Sequence, residues 1–391
     1  MLQSQYSFSV PFQFPVYFTR DAFAADNPMV VNVFRRLEPE RRHRVFFVID
    51  RHVADGHPDL AQRIDAYCTA HGESLRLTST PVVVDAGEAV KNDLSYTLAL
   101  LEKLNELGID RQSFVAVIGG GALLDMVSFA AALCHRGVRI VRFPTTVLSQ
   151  ADSGVAVKNG INLFGKKNFI GTFVPPFAVI NDAAFLDTLE FRDVIGGVAE
   201  AVKVSLLRDS GFFRFMEAHA RRLAMRDTAT LEYVVRRSAE LHLEHICGNG
   251  DPFELGSARP LDFGHWSAHK LESVTKHRLR HGEAVAIGMA LDVMYSVRMG
   301  FLEPSIAERI LALLEALGLR LWDDALRVRS DGALSLIDGL REFREHLGGE
   351  LHITLLRDIG ESFEVNEMDE AAVLHAIDDL EARVRAATPA R

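Results

Sequence analysis

The chain has 391 residues, 48% of them apolar, enough for a large core and more than one core usually grows to, so two domains are expected. Its 43 Lys and Arg against 53 Asp and Glu leave a formal net charge of -10, which opposes binding to a phosphate backbone and argues against nucleic acid as a partner. There is no basic start followed by an apolar run and no stretch of about 20 apolar residues, so a soluble cytoplasmic protein without a membrane span is expected.

The first twenty residues alternate aromatic and polar positions around Pro11 and Pro15, a pattern for short extended segments at a sheet edge. Val45 to Asp50 reads VFFVID, an apolar strand ending on an acid, and Pro58 to His71 has helical spacing. A helix from Tyr96 to Leu107, a strand from Phe114 to Gly119, a helix after Gly121 and a strand from Ile140 to Phe143 repeat the unit, so a parallel α/β domain follows. Beyond Phe191 the spacing turns helical: Val198 to Leu207, Leu231 to His245, Ala284 to Met299, Ala307 to Leu317 and finally Glu370 to Val384. The expected division is 1–191, a dinucleotide-binding α/β domain, and 192–391, a mainly α-helical metal- and substrate-binding domain. Pro175-Pro176 and Gly196-Gly197 are expected to bracket the join. Cys68, Cys134 and Cys247 are too scattered for a disulfide framework and read as buried thiols.

Gly119, Gly120 and Gly121 follow a strand and precede a helix, where missing side chains let a diphosphate approach the backbone; a tight structural turn is the alternative. Asp50, at a strand end, suits a ribose hydroxyl or an ordinary loop. Pro144 to Gly171 reads as a glycine-rich polar loop holding Asp152, Lys158, Lys166, Lys167 and Asn168, with cations and an amide suited to phosphate, or a solvated basic turn.

Glu200 in GGVAEAVK, His265 in DFGHWSAH and His281 in RHGEAV offer one carboxylate and two imidazoles, a plausible catalytic zinc set with an open position. His269, four residues after His265, shares its helical face and suits phosphate contact or proton transfer. Lys203 shares the face of Glu200, either to approach a metal-bound substrate or to pair with the carboxylate. Asp262 and Arg259 add an acceptor and a cation just upstream.

These segments come together in a resemblance to the sugar-phosphate cyclase superfamily, which contains 3-dehydroquinate synthase and 2-epi-5-epi-valiolone synthase. It runs from about Arg44 to Asn366 through GEAVK (Gly87–Lys91), GGGALLD (Gly119–Asp125), PTTVLSQADSGV (Pro144–Val155), GVAEAVK (Gly197–Lys203), FGHWSAH (Phe263–His269) and HGEAVAIGM (His281–Met289). The resemblance implies a homodimer whose N-terminal domain binds NAD and whose helical domain binds a divalent metal, Zn or Co. Asp50, Glu88, Lys91, Gly120, Gly121, Asp125, Thr145, Thr146, Lys167 and Thr188 would surround NAD, with Asp125 and Asp152 bordering the reacting hydroxyls. Glu200, His265 and His281 would hold the metal. Lys158, Asn168, His269 and Arg136, the last from the neighbouring subunit, would take the substrate phosphate.

The branch is read from the head-group residues. The dehydroquinate-forming enzymes hold a carboxylate with Lys and Arg, whereas Asp262 stands here in place of their Asn, Ala258 in place of the Arg, and ELHLEHICGNG where the Lys is sought. Asp262 would repel a carboxylate. DFGH at Asp262–His265 and FREHLGG at Phe343–Gly349 resemble the valiolone-synthase branch, which cyclises sedoheptulose 7-phosphate, while His269 stands where that branch has proline and Trp266 where it has threonine. A sister group with another phosphorylated polyol is the alternative within the family. The expected reaction is phosphate elimination and ring closure with transient NAD redox, in which Asp152, Lys203, Asp262 and His269 are the catalytic candidates. 3-Dehydroquinate synthase, a metal-dependent polyol dehydrogenase and a non-catalytic sugar-phosphate binder are the other readings.

Overall fold

The computed structural model describes residues 5–85, 87–164, 166–248, 251–253, 260–330, 333–346 and 350–387. Ala258, Arg259 and the end of FREHLGG therefore lie outside the described residues. Two compact units emerge, one from 1–145 with 156–184 and the other from 146–155 with 185–391.

The first unit is built on a seven-stranded sheet. From one edge its order is Val16–Thr19, Ala178–Asp182, Arg139–Pro144, Phe114–Gly119 and His43–Asp50, and the last strand pairs at its two ends with Leu75–Leu77 and Val82–Val84. Every pairing is parallel. VFFVID and FVAVIG are buried along their whole length, as strands covered on both faces must be, which is why they are continuously apolar rather than alternating. The chain moves to one side of His43–Asp50 for its next two strands and to the other side for Phe114–Gly119. The strand order thus reverses there, and such a reversal opens a ligand crevice beyond the carboxyl ends of the two strands. Asp50 and Gly119 sit at those ends. Among the described residues of the N-terminal stretch, Val16–Thr19 forms an edge strand.

Pro144 to Gly171 is not an irregular loop. It forms a helix at Val147–Ala151 and an antiparallel hairpin of Lys158–Leu163 with Lys166–Phe173. Polarity concealed the strands, because Asn159 and Asn162 are buried with satisfied acceptors: Thr172 Oγ1 donates to Asn159 Oδ1 (2.6 Å) and the Asn168 backbone N–H to Asn162 Oδ1 (2.8 Å).

The second unit is mainly helical and its core wraps the Phe191–Arg208 and His281–Arg298 helices. Gly196 and Gly197 both lie inside the Phe191–Arg208 helix. Glycine there costs about 1 kcal/mol of helix propensity per residue, and close packing explains its use. A Cβ on Gly282 would lie 2.0 Å from the Gly196 carbonyl oxygen, and one on Gly197 2.5 Å from the Leu148 nitrogen. The unit also contains a hairpin of Ile353–Asp358 with Glu361–Val365 that helical spacing did not reveal.

The cysteines differ from expectation. Cys68 is buried, its thiol pushed up to about 12 by burial and by Asp65, but Cys134 is half-buried and Cys247 exposed, since the latter ends its helix on the solvent side. Among the described residues no helix is long and apolar enough to cross a membrane.

Candidate metal centre and cofactor turn

Three helices of the second unit deliver the metal-type ligands. Glu200 projects from the middle of Phe191–Arg208, while His265 and His281 are the first residues of His265–Val274 and His281–Arg298. Two glycine contacts let the backbones come this close: Gly282, next to His281, abuts Gly196, and Gly264, next to His265, abuts Gly288. Gly264 is also left-handed at φ 76°, so a side chain there would be strained as well as blocked. One ligand atom from each of Glu200, His265 and His281 lies within 4.8 Å of the others.

The hydrogen bonds fix which lone pairs face inward. His265 Nδ1 sits 3.1 Å from the Phe263 carbonyl, which only accepts, so this nitrogen carries the hydrogen and Nε2 presents its lone pair. His281 Nδ1 lies 3.3 Å from the Glu272 carboxylate, giving the same polarity. The two Nε2 atoms are 3.7 and 3.3 Å from Glu200 Oε1 and Lys203 Nζ is 2.6 Å from Oε2, while among the described residues neither buried oxygen receives a well-directed hydrogen bond. Two imidazole nitrogens converging in this way on a buried carboxylate oxygen fit a divalent cation, and the Glu272 carboxylate on His281 supplies the usual outer support. His269, Glu272 and His281 form a second group with metal-ligand spacing, more open because His269 is exposed.

Charge is distributed unevenly around the ligands. Burial alone would push the Lys203 ammonium down, but Glu200, at 2.6 Å, together with Asp152 and Asp262, holds it above its ordinary range. Burial and Lys203 push His265 well below its ordinary value. Burial opposes the charge on His281 too, but the Glu200 and Glu272 carboxylates override it and push the group up to about 10. Without a cation, therefore, His281 holds a proton that a metal binding here would displace. Because the raised group stays protonated until about pH 10, metal affinity is expected to climb by about tenfold per pH unit below that value. Calorimetry in buffers of different ionisation enthalpy should count about one proton released per ion near pH 7.5; a count of zero would overturn this.

Three supporting residues were not anticipated. Asp292, fully buried, accepts from Gly264 N–H (2.9 Å) and Trp266 Nε1–H (2.8 Å), pinning the turn into His265; burial raises its carboxyl to about 7 against those two donors. Glu272 orients His281, and His242 stands 3.4 Å from Asp152. Glu272 follows His265 by seven residues, two helical turns, so a helical reading would have flagged it; the other two partners are remote in sequence.

In the first unit, Gly120 caps the Gly121–Leu133 helix, so the helix N-terminus and its free N–H groups face the crevice beside Asp50. Asp50 itself caps the following helix by accepting from the His52 backbone N–H. Lys91 Nζ donates to Asp125 Oδ2 and Asn168 Oδ1, both at 2.6 Å. Asn162, not anticipated, donates to Glu88 (3.0 Å) and Asn92 (2.8 Å) and holds Asn168 in a left-handed conformation at φ 51°. Thr145 is buried, with its backbone N–H on the Gly119 carbonyl. Lys158 and Lys167 are exposed on the hairpin, and Arg136 is exposed in a turn at φ 64°. Thr146 and Thr188 belong to the second unit, where Thr146 forms a capping box with Ser149.

A parallel sheet with a glycine turn at its switch point, and a helical unit with an inward-facing Glu/His/His set, together define a metal-dependent enzyme of the dinucleotide-binding type. Residues 81–196 match the N-terminal model of 3-dehydroquinate synthase and 197–338 the C-terminal model. The chain is 35% identical to a 2-epi-5-epi-valiolone synthase of Streptomyces glaucescens over 77% of its own length and 76% of the relative's. It is 35% identical to a 3-dehydroquinate synthase of Cereibacter sphaeroides over 87% and 89%. A solved 2-epi-5-epi-valiolone synthase of Streptomyces hygroscopicus, with NAD+ and Zn2+ bound, superposes with a TM-score of 0.84 at 27% identity, covering 97% of this chain and 100% of that one. The chain belongs to the 3-dehydroquinate synthase family, in the sugar-phosphate cyclase superfamily and on its valiolone-synthase side. It is accordingly an enzyme of the phosphate-eliminating cyclase class, with a dinucleotide-type glycine turn and a Glu/His/His group at divalent-metal spacing.

Proposed function

We propose that this enzyme eliminates phosphate from sedoheptulose 7-phosphate and closes a carbocycle, working as a cytoplasmic homodimer. The observation that carries the substrate choice is the setting of Lys203, which already faces the three carboxylates of Glu200, Asp152 and Asp262. A carboxylated head group entering here would lose water and meet a surplus of like charge, whereas a hydroxymethyl group brings none. Asp262 in place of the amide found in the dehydroquinate-forming branch supports the same choice.

NAD is served by Asp50, Glu88, Lys91, Gly120, Gly121, Asp125, Thr145, Lys167 and Thr188, with Thr146 beside them. Glu200, His265 and His281 hold one divalent ion. When bound, the two cofactors supply a hydride acceptor that later returns the hydride, and Lewis acidity at substrate oxygen. Lys203 stabilises developing negative charge on that oxygen, and Asp152 exchanges the hydroxyl proton. Asp262 orients the reacting hydroxyls. Arg136, Lys158, Asn168 and His269 hold the phosphate until it leaves.

The test compares sedoheptulose 7-phosphate with the carboxylated heptulosonate phosphate at matched concentrations, with NAD and zinc or cobalt supplied. Expected are phosphate release and a cyclic product from the neutral-headed sugar, with no net NADH. Conversion of the carboxylated substrate alone would overturn the assignment, and accumulating NADH would indicate a dehydrogenase.

A further inference from the structure

The Thr228–Gly248 helix packs against both the Val147–Ala151 helix and the Ser153–Val155 turn, and so against the segments on either side of Asp152. His242 of that helix is 3% exposed. Its Nδ1 lies 2.8 Å from the Ser238 carbonyl oxygen, which can only accept, so Nδ1 carries a hydrogen. The other nitrogen, Nε2, is buried, has no hydrogen-bond partner among the described residues and lies 3.4 Å from Asp152 Oδ1. In a neutral ring with this tautomer, a buried Nε2 lone pair lies beside a carboxylate oxygen and neither supplies a hydrogen, an unfavourable meeting. One proton between them removes the conflict.

We propose that His242 is a positioning residue that shares a proton with Asp152 and holds its carboxylate ready for proton exchange with the substrate. This rests on the role given to Asp152 above. Asp152 ends a helix of only five residues, so its own backbone constrains it weakly, whereas His242 is anchored in a helix of 21. The charged groups around the pair are Lys203 with Glu200 on the Phe191–Arg208 helix and Asp262 ahead of His265. As a substrate O–H bond breaks, its proton bonds to Asp152 Oδ2 while the shared proton stays between Nε2 and Oδ1. The reverse transfer restores the pair, so a full cycle neither gains nor loses a proton.

The test uses the NAD- and zinc-loaded enzyme, with cofactor binding measured to confirm the fold of each variant. His242→Leu should lower kcat by about 10- to 100-fold, the scale of an outer supporting partner, with KM within about threefold. His242→Gln, whose amide N–H reaches the same oxygen, should recover part of that loss. In an Asp152→Asn background, His242→Leu should add less than about threefold, because the partner it acts through is already gone. Fully additive losses would overturn the proposal. A second arm needs no substrate: the 15N resonance of His242 Nε2 should move toward the unprotonated position in Asp152→Asn, where the new amide donates to the ring. An unchanged resonance refutes the shared proton even if sedoheptulose 7-phosphate proves to be the wrong substrate.

Discussion

His265→Ala is expected to strip zinc from the protein and to lower turnover by well over about 100-fold, beyond the loss that follows removal of an outer partner. The buried carboxylate of Glu200 lies within reach of two imidazoles and one ammonium. Deleting one imidazole leaves two ligands and a cavity, too few for a tetrahedral site with an open position. Glu272→Gln should do less, about 10- to 100-fold in metal affinity, because it only loosens the hold on His281 Nδ1. The first unit has its own core, built on Phe46, Val48, Val115 and Val117, so NAD binding should survive both changes. Metal content by mass spectrometry, NAD binding by fluorescence and initial rates together check this. Full zinc occupancy with intact turnover in His265→Ala would remove His265 from the site.

The second large effect concerns stability. Gly282→Ala places a Cβ 2.0 Å from the Gly196 carbonyl oxygen, a backbone atom that cannot swing aside, so two core helices must separate. A cost of about 3 kcal/mol or more is expected, at the upper end for overpacking, with a fall in Tm of about 6 °C or more. Because Gly282 follows His281 directly, zinc affinity should fall with it. Gly248→Ala is the control: among the described residues a Cβ there meets nothing within 4 Å, and its melting temperature should stay close to that of the parent. Equal melting temperatures for the two variants would show that the crossing is not held by glycine.

Both results bear on what could be read from sequence. VFFVID and FVAVIG announced buried parallel strands because continuous apolar runs have few other uses, and the Glu200/His265/His281 cluster was legible because Glu and His in glycine-flanked segments carry their own chemistry. The hairpin at Lys158–Phe173 was not, since its buried asparagines are polar and only their distant partners make burial tolerable. Gly196-Gly197 carried the opposite meaning from its propensity: residues that weaken an isolated helix are what let this one touch another. Asp292 and His242 escaped because their partners lie 26 and 90 positions away. Trp266, read as a departure from its branch, acquires a reason once its indole N–H is seen on Asp292.

The ten residues 146–155 come from the middle of the first unit's sequence yet belong to the second. They bring Val147 and Leu148 onto Gly197 and Asp152 to His242. No single scissor cut therefore yields two self-sufficient pieces. A fragment starting at residue 192 would lack its own wall beside Gly197 and one of its two proton-sharing side chains, whereas one that adds 146–155 through a short linker restores both. On the ribosome, likewise, this segment must wait for more than thirty further residues before the surface it covers exists. The gene is read in one order and the second unit closes in another.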